Sequence, residues 1–158
     1  MVYKSIHPVY AGPLSGQRIL VVDDAEEDRM LLSDFLLRHG ARLYVARDGQ
    51  DGYRKAQTVR PDPILMDIRM PVYDGLTSAR LLKANSCTRN IPLIFLSAAA
   101  STEEKVNGLS VGAVDYITKP FDFEEVRLRL CVHLRSTLHA DLPPITQTPT
   151  GSATQGGS

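Results

Sequence analysis

Apolar residues along this chain fall into two alternating patterns: short dense runs, and longer stretches in which they recur at helical spacing. Arg18 to Val22 is the first dense run, apolar enough to be covered on both faces. It ends in Asp23-Asp24. The next stretch predicts a helix, with Met30, Leu31, Asp34, Phe35 and Leu37-Arg38 giving its core-facing side at helical spacing, closed by Gly40. Ala41 to Ala46 is a short alternating strand with Leu43 and Val45 on one side. Asp48-Gly49 then turns the chain into a helix from Gln50 to Val59, which Arg60-Pro61 stops. Ile64 to Met66 is the third strand and runs into Asp67.

The second half repeats the alternation. Asp74-Gly75 marks a turn before a helix from Leu76 to Ala84, with Ala79, Leu82 and Lys83 in its middle. Asn85 to Asn90 is a polar loop, and Ile91 to Leu96 is a fourth strand ending in Ser97. Ser101 and Glu104 have the capping-box spacing, so a helix starts near Thr102 and fades between Gly108 and Gly112. Val114 to Thr118 is a fifth strand, ending in Lys119-Pro120. Asp122 and Glu125 cap a last helix, with Phe121 and Val126 placed as a hydrophobic staple. Val126, Leu130, Leu134 and Leu138 form its apolar stripe. Acidic residues in its first turn, and Arg135 and His139 near its end, suit the helix dipole.

Strand and helix in strict alternation predict a parallel sheet covered by helices on both faces. The expected fold class is α/β, a flavodoxin-like doubly wound (βα)5 domain of strand order 2-1-3-4-5. The expected domain spans residues 17–138. Residues 1–16, with Pro8, Gly12, Pro13 and Gly16, are expected to be an extended lead-in. Residues 139–158, rich in Thr, Pro, Gly and Ser, are expected to be a disordered tail or linker.

Composition narrows the class. The 158 residues suit one ordinary domain with tails, and 43% hydrophobic with 23% charged residues is globular usage. Lys+Arg and Asp+Glu are both 18, so no global charge points to direct nucleic-acid binding or to an anionic membrane. No apolar run is long enough to span a bilayer, and residues 1–17 lack a signal-peptide core. Cys87 and Cys131, in stretches read as helical, fit free thiols. The expected location is cytoplasmic.

In a sheet of order 2-1-3-4-5, the carboxyl ends of strands one, three, four and five line one rim, where such folds bind ligands. This chain puts Asp23-Asp24, Asp67, Ser97 and Lys119 there. Each has an ordinary alternative. Asp24 would serve as a helix N-cap, Asp67 and Ser97 as turn residues, and Lys119 as a solvated lysine. Together those alternatives leave three carboxylates crowded with nothing to neutralise them. Packed carboxylates repel until one holds a proton or a cation enters. Mg2+ takes oxygen ligands of this kind. A lysine and a hydroxyl beside them would meet the charge of a phosphoryl group, with Asp67 as its nucleophilic acceptor.

These residues carry a resemblance. Ile-Leu-Val-Val-Asp23-Asp24, Leu-Met-Asp67-Ile-Arg-Met-Pro71 with Asp74-Gly75, Leu-Ser97-Ala98, and Gly112-Ala-Val-Asp-Tyr116-Ile-Thr-Lys119-Pro120-Phe121 resemble the CheY-like receiver domains of bacterial two-component response regulators. The resemblance implies a phosphorelay switch. Asp67 would accept a phosphoryl group from a histidine kinase or histidine phosphotransfer protein. Asp23, Asp24, Asp67 and the Arg69 main-chain carbonyl would hold Mg2+. Lys119 would pair with the phosphoryl oxygens, Ser97 would hydrogen-bond another, and Tyr116 would swing inward as the switch aromatic. Lys119-Pro120 would be cis. Arg69 and Ala99 would lie where the family tunes the lifetime of the aspartyl phosphate. The fourth helix, fifth strand and fifth helix would carry the altered surface to an output domain or effector, or into a homodimer. The only catalysis implied is Mg-dependent phosphorylation and dephosphorylation of the chain itself.

Two other functions compete. One is a receiver-like binding module that does not rely on phosphorylation. The other is an aspartyl-nucleophile phosphatase resembling the haloacid dehalogenase group. Those enzymes carry Asp-x-Asp after their first strand and a cap insertion, whereas here the pair is adjacent and the best nucleophile follows strand three.

Overall fold

A computed structural model describes residues 12–98 and 101–140, with side-chain surroundings given to residue 134. Five strands and five helices alternate through it: β1 (Arg18–Val22), α1 (Glu26–Arg38), β2 (Arg42–Ala46), α2 (Gly49–Val59), β3 (Ile64–Asp67), α3 (Gly75–Ala84), β4 (Leu93–Ser97), α4 (Thr102–Ser110), β5 (Asp115–Thr118) and α5 (Phe123–Ala140). The strands form one parallel sheet of order β2-β1-β3-β4-β5, as the alternation predicts.

Strand period splits the core into two layers. Ile19, Val21, Leu65, Ile94 and Leu96 face one side of the sheet and pack with Leu32 and Leu36 of α1 and Val126, Leu130 and Leu134 of α5. Leu20, Val22, Ile64, Met66, Leu93 and Phe95 face the other and pack with Ala56 of α2 and Ala79 and Leu82 of α3. Successive residues of a strand point to opposite faces, so a continuous apolar run fills both layers. Each fully buried Leu, Ile, Val or Phe contributes about 1.5–3 kcal/mol relative to exposure.

The caps follow the sequence in most places. The Asp48 side chain accepts from Asp51 N, Asp74 from Thr77 N, and Ser101 from Glu104 N. Asp122 Oδ1 accepts from Glu124 N at 3.0 Å and from Glu125 N at 3.4 Å. Gly40 takes the left-handed conformation after α1, with φ +83°. Phe121 packs against the layer that holds Val126, as a staple requires.

Three expectations, and the alternative that made Asp24 a helix N-cap, need correction. The apolar face of α1 is not the one set by Met30, Leu31 and Leu37, which are all at least half exposed; Arg29, Leu32 and Leu36 face the sheet. Apolar residues surround this helix, so the periodicity admits more than one stripe, and packing selects the pair at i, i+4. The N-cap of α1 is Ala25, with no side-chain cap, so Asp24 does not fill that role. Residues 13–16 form a turn rather than an extended lead-in, and Leu14 is fully buried in the α1–α5 layer. A single leucine has no period by which to reveal its burial. Cys87 lies in the turn after α3, not in a helix; both cysteines are free thiols, Cys87 exposed and Cys131 buried.

The expectations for Ala99, for the side chains of Arg135, Leu138 and His139, and for the segments 1–11 and 141–158 fall outside the described residues. No helix among the described residues is long and apolar enough to cross a membrane.

Candidate functional site

Parallel pairing brings the chemistry to one rim. Val22 pairs with Met66 across β1 and β3, so Asp23 and Asp67 both follow immediately beyond that rung. Asp67 pairs with Leu96, which places Ser97 one position further on β4, and Ser97 pairs with Thr118. Lys119 is the next residue, and its N–H donates to Ser97 O at 2.7 Å. The rim therefore gathers residues that are dispersed in sequence because each strand stops at the same level.

Asp23 is fully buried and Asp67 is 7% exposed. Asp23 Oδ1 accepts from Ala25 N at 2.9 Å, and its carbonyl accepts from Arg29 Nη1 at 2.9 Å. Asp67 Oδ1 accepts from Arg69 N at 3.2 Å. Gly75 lets α3 start against this corner: its N–H donates to Ile68 O at 2.7 Å, and an added Cβ would sit 2.5 Å from Asp67 O.

Lys119 joins the corner. Its Nζ donates to Asp23 Oδ2 at 2.7 Å, Asp28 Oδ2 at 2.9 Å and Asp67 Oδ2 at 3.1 Å. Burial pushes its pKa down, but its hydrogen bonds to Asp23 and Asp28 and the charges of Asp23 and Asp67 outweigh burial, so the ammonium stands above the ordinary lysine value. The Asp67 carboxyl is raised. Burial is the largest cause and the Asp23 charge adds to it, while Lys119 and the Arg69 N–H oppose. The lysine is shared among three acids, so Asp67 does not receive its full attraction.

Asp23, Asp24 and Asp67 each offer a carboxylate oxygen, all within 4.8 Å of one another; Asp24 is exposed. With Asp28, four carboxylates gather at the corner, and three of them, Asp23, Asp28 and Asp67, hold the one ammonium. Hard oxygen donors in negative excess suit a divalent cation that keeps part of its water shell. The donor set therefore fits Mg2+.

Two partners of the site were not anticipated from sequence. Asp28 touches Lys119, yet in sequence it is one of three acids in the first turn of α1 and reads as a dipole residue. Arg69 sends its exposed side chain to Glu104 of α4, Nη2–Oε1 2.8 Å. Tyr116 is half-buried, its ring 5.7 Å from that of Phe95, and its hydroxyl donates to Glu104 O at 3.4 Å. Burial first, and the Glu104 charge second, raise its pKa. Glu104 thus touches both the loop after β3 and the edge strand. The Lys119-Pro120 peptide is cis.

The model of the response regulator receiver domain matches residues 19–130. The chain belongs to that family. It is 38% identical over 120 residues to the DNA-binding dual master transcriptional regulator RpaA of Synechocystis sp., covering 76% of this chain and 50% of that protein. It is 39% identical over 119 residues to the alkaline phosphatase synthesis transcriptional regulatory protein PhoP of Bacillus subtilis, covering 75% and 49%. The chain thus spans about half the length of these curated relatives. Among solved structures, the receiver domain of sensor histidine kinase PA1611 from Pseudomonas aeruginosa has magnesium coordinated in its active site cleft. It is 35% identical, with TM-score 0.72, covering 77% of this chain and 99% of that one. Vibrio cholerae chemotaxis protein CheY4 is 31% identical, with TM-score 0.67, covering 81% and 100%. As a receiver domain, the chain is a phosphorylation-switch module of two-component signal transduction.

Proposed function

We propose that Asp67 is the phosphoacceptor of this receiver domain, that Asp23, Asp24, Asp67 and the Arg69 carbonyl hold Mg2+, and that Lys119 and Ser97 receive the phosphoryl oxygens. The observation that carries this reading is the convergence of Lys119 Nζ on Asp67 and Asp23 at the acid corner. A magnesium ion there supplies charge neutralisation for incoming phosphoryl oxygens.

The chain's own groups do the rest. Asp67 attacks phosphorus through a carboxylate oxygen, forming an acyl phosphate as the donor's leaving group departs. The Arg69 N–H holds its other oxygen and fixes the carboxylate plane. Lys119, already beside Asp67, pairs with the developing charge without a long rearrangement. Ser97 closes on a remaining oxygen, and Tyr116 follows into the space behind it. The donor is a phosphohistidine on a histidine kinase or phosphotransfer protein. The only reaction catalysed is this self-phosphorylation and its reversal by hydrolysis. The location is cytoplasmic.

The output runs through α4, β5 and α5. Val106 and Leu109 of α4 are exposed apolar residues, and Asp115 of β5 pairs with Arg129 of α5 at 2.7 Å. That face suits an output domain, an effector or a second copy, and no direct contact of the receiver with nucleic acid is invoked. Incubation with acetyl phosphate and Mg2+ tests the acceptor by intact mass. One added phosphoryl group, absent in Asp67→Asn, is expected; no gain, or an equal gain in the variant, refutes it.

A further inference from the structure

Lys119 has three acid partners, and they are not equivalent. Asp23 and Asp67 belong to the group of oxygens that lie close enough to share a cation; Asp28 does not. Both oxygens of Asp23 are already used, Oδ1 by the Ala25 N–H and Oδ2 by Lys119. A cation entering the corner thus competes with Lys119 for Asp23 and Asp67. Asp28 is the one acid partner of Lys119 that such a cation leaves alone.

Asp28 is also held in place. It lies in the first turn of α1, next to Arg29, whose guanidinium donates to Asp23 O at 2.9 Å and whose N–H donates to Ala25 O at 3.0 Å. These bonds tie the start of the helix to the corner. The Asp28 side chain is 35% exposed, so it is the most solvated of the lysine's three acid partners.

We infer that Asp28 is a positioning residue: when a cation takes the Asp23 and Asp67 oxygens that Lys119 shares in this structure, Asp28 retains the ammonium on the α1 side of the corner, within reach of a phosphoryl group on Asp67. The inference rests on the assignment of Asp67 as phosphoacceptor only for its kinetic consequence. Its effect on cation binding stands apart from phosphorylation. The ordinary role of an acid in a helix's first turn is to complement the dipole. Glu26 and Glu27 occupy the same turn and fill that role without touching Lys119.

The test is a double-mutant cycle between Asp28→Asn and Lys119→Met, read by calorimetric titration with Mg2+ alone and by the rate of phosphorylation with acetyl phosphate. In the wild-type background, Asp28→Asn is expected to weaken Mg2+ binding by roughly threefold or more, the scale of coupling between contacting groups. Lys119 then has no acid left to hold it once the cation takes the Asp23 and Asp67 oxygens, so it competes harder for them. In the Lys119→Met background the same substitution should change Mg2+ affinity far less. Glu27→Gln, which removes a first-turn charge without touching Lys119, should leave both readouts near wild type. An equal loss in both backgrounds, or an equal loss from Glu27→Gln, means a diffuse charge effect and overturns the inference. So does unchanged affinity in Asp28→Asn. Failure of the wild-type protein to gain a phosphoryl group refutes the acceptor assignment instead, and the calorimetric cycle still decides the role of Asp28.

Discussion

Lys119 Nζ lies 3.1 Å from Asp67 Oδ2, although the two residues are 52 positions apart in the chain. The contact exists because β3 and β5 end at the same level on either side of β4. It is shared with Asp23 and Asp28, and that sharing sets the electrostatics of the corner.

Lys119→Met should destabilise the domain in the absence of divalent cations. It leaves fully buried Asp23 and nearly buried Asp67 without their ammonium. Loss of a partner from a buried charged group costs on the order of 1–3 kcal/mol. Urea unfolding in chelator measures the deficit, and added Mg2+ should narrow it. A variant as stable as wild type in chelator contradicts this picture.

Asp67→Asn should raise the midpoint of thermal unfolding at neutral pH without metal. Asp67 has a raised folded pKa, chiefly from burial. A raised carboxyl pKa means that the folded state binds more protons than the unfolded state between the ordinary and the raised value. Stability therefore falls as pH rises through that window, and the cost is fully present above it. Asparagine removes the cost. The same variant should gain less from Mg2+, whereas wild type gains about 1.4 kcal/mol at ten times the dissociation constant. Thermal melts across Mg2+ concentration check both statements.

Asp115 should govern part of the acid limb of stability. Burial acts to raise its pKa, but hydrogen bonds from Arg129 and His133, both to its side chain, lower it on balance. A depressed carboxyl stabilises the fold above the ordinary aspartate value, and that contribution is lost as pH falls through the folded value. Asp115→Asn should flatten that limb in pH-dependent melts. An unchanged acid limb would count against the ion-pair account.

Val72→Gly should stabilise the loop after β3. Val72 has φ +70°, a left-handed conformation that costs an L-residue roughly 1–2 kcal/mol, and its side chain is 71% exposed, so little packing is lost. Glycine's greater unfolded entropy offsets about 0.5–1 kcal/mol, leaving a gain of up to about 1.5 kcal/mol. Gly75→Ala at the start of α3 should destabilise, because its Cβ would press on Asp67 O and Ile68 Cα. Denaturant midpoints of the two variants should move in opposite directions.

Much of this molecule was legible in one dimension. The dense runs Ile19–Val22, Ile64–Met66 and Leu93–Leu96 read as central strands because burial on both faces requires every residue to be apolar. The residues that interrupt those runs, Asp23, Asp67 and Ser97, read as rim residues because a polar group at a buried strand's end must emerge at an edge. The acid corner followed from that punctuation once the five strands were given the common doubly wound order 2-1-3-4-5. The stripe of α1 did not, since Met30, Leu31 and Leu37 are as apolar as Leu32 and Leu36, and Leu14 gave no periodic signal.

The sequence by itself determined where strands stop and which charged groups stop them, because side-chain alternation and turn chemistry are local. Only the tertiary structure decided which acids share Lys119. Asp28 lies 91 residues from that lysine, and nothing in its own turn sets it apart from Glu26 and Glu27. The direction in which one helix leaves its strand turned a generic acid of that turn into a partner of the site, and such a direction is set by packing across the whole sheet.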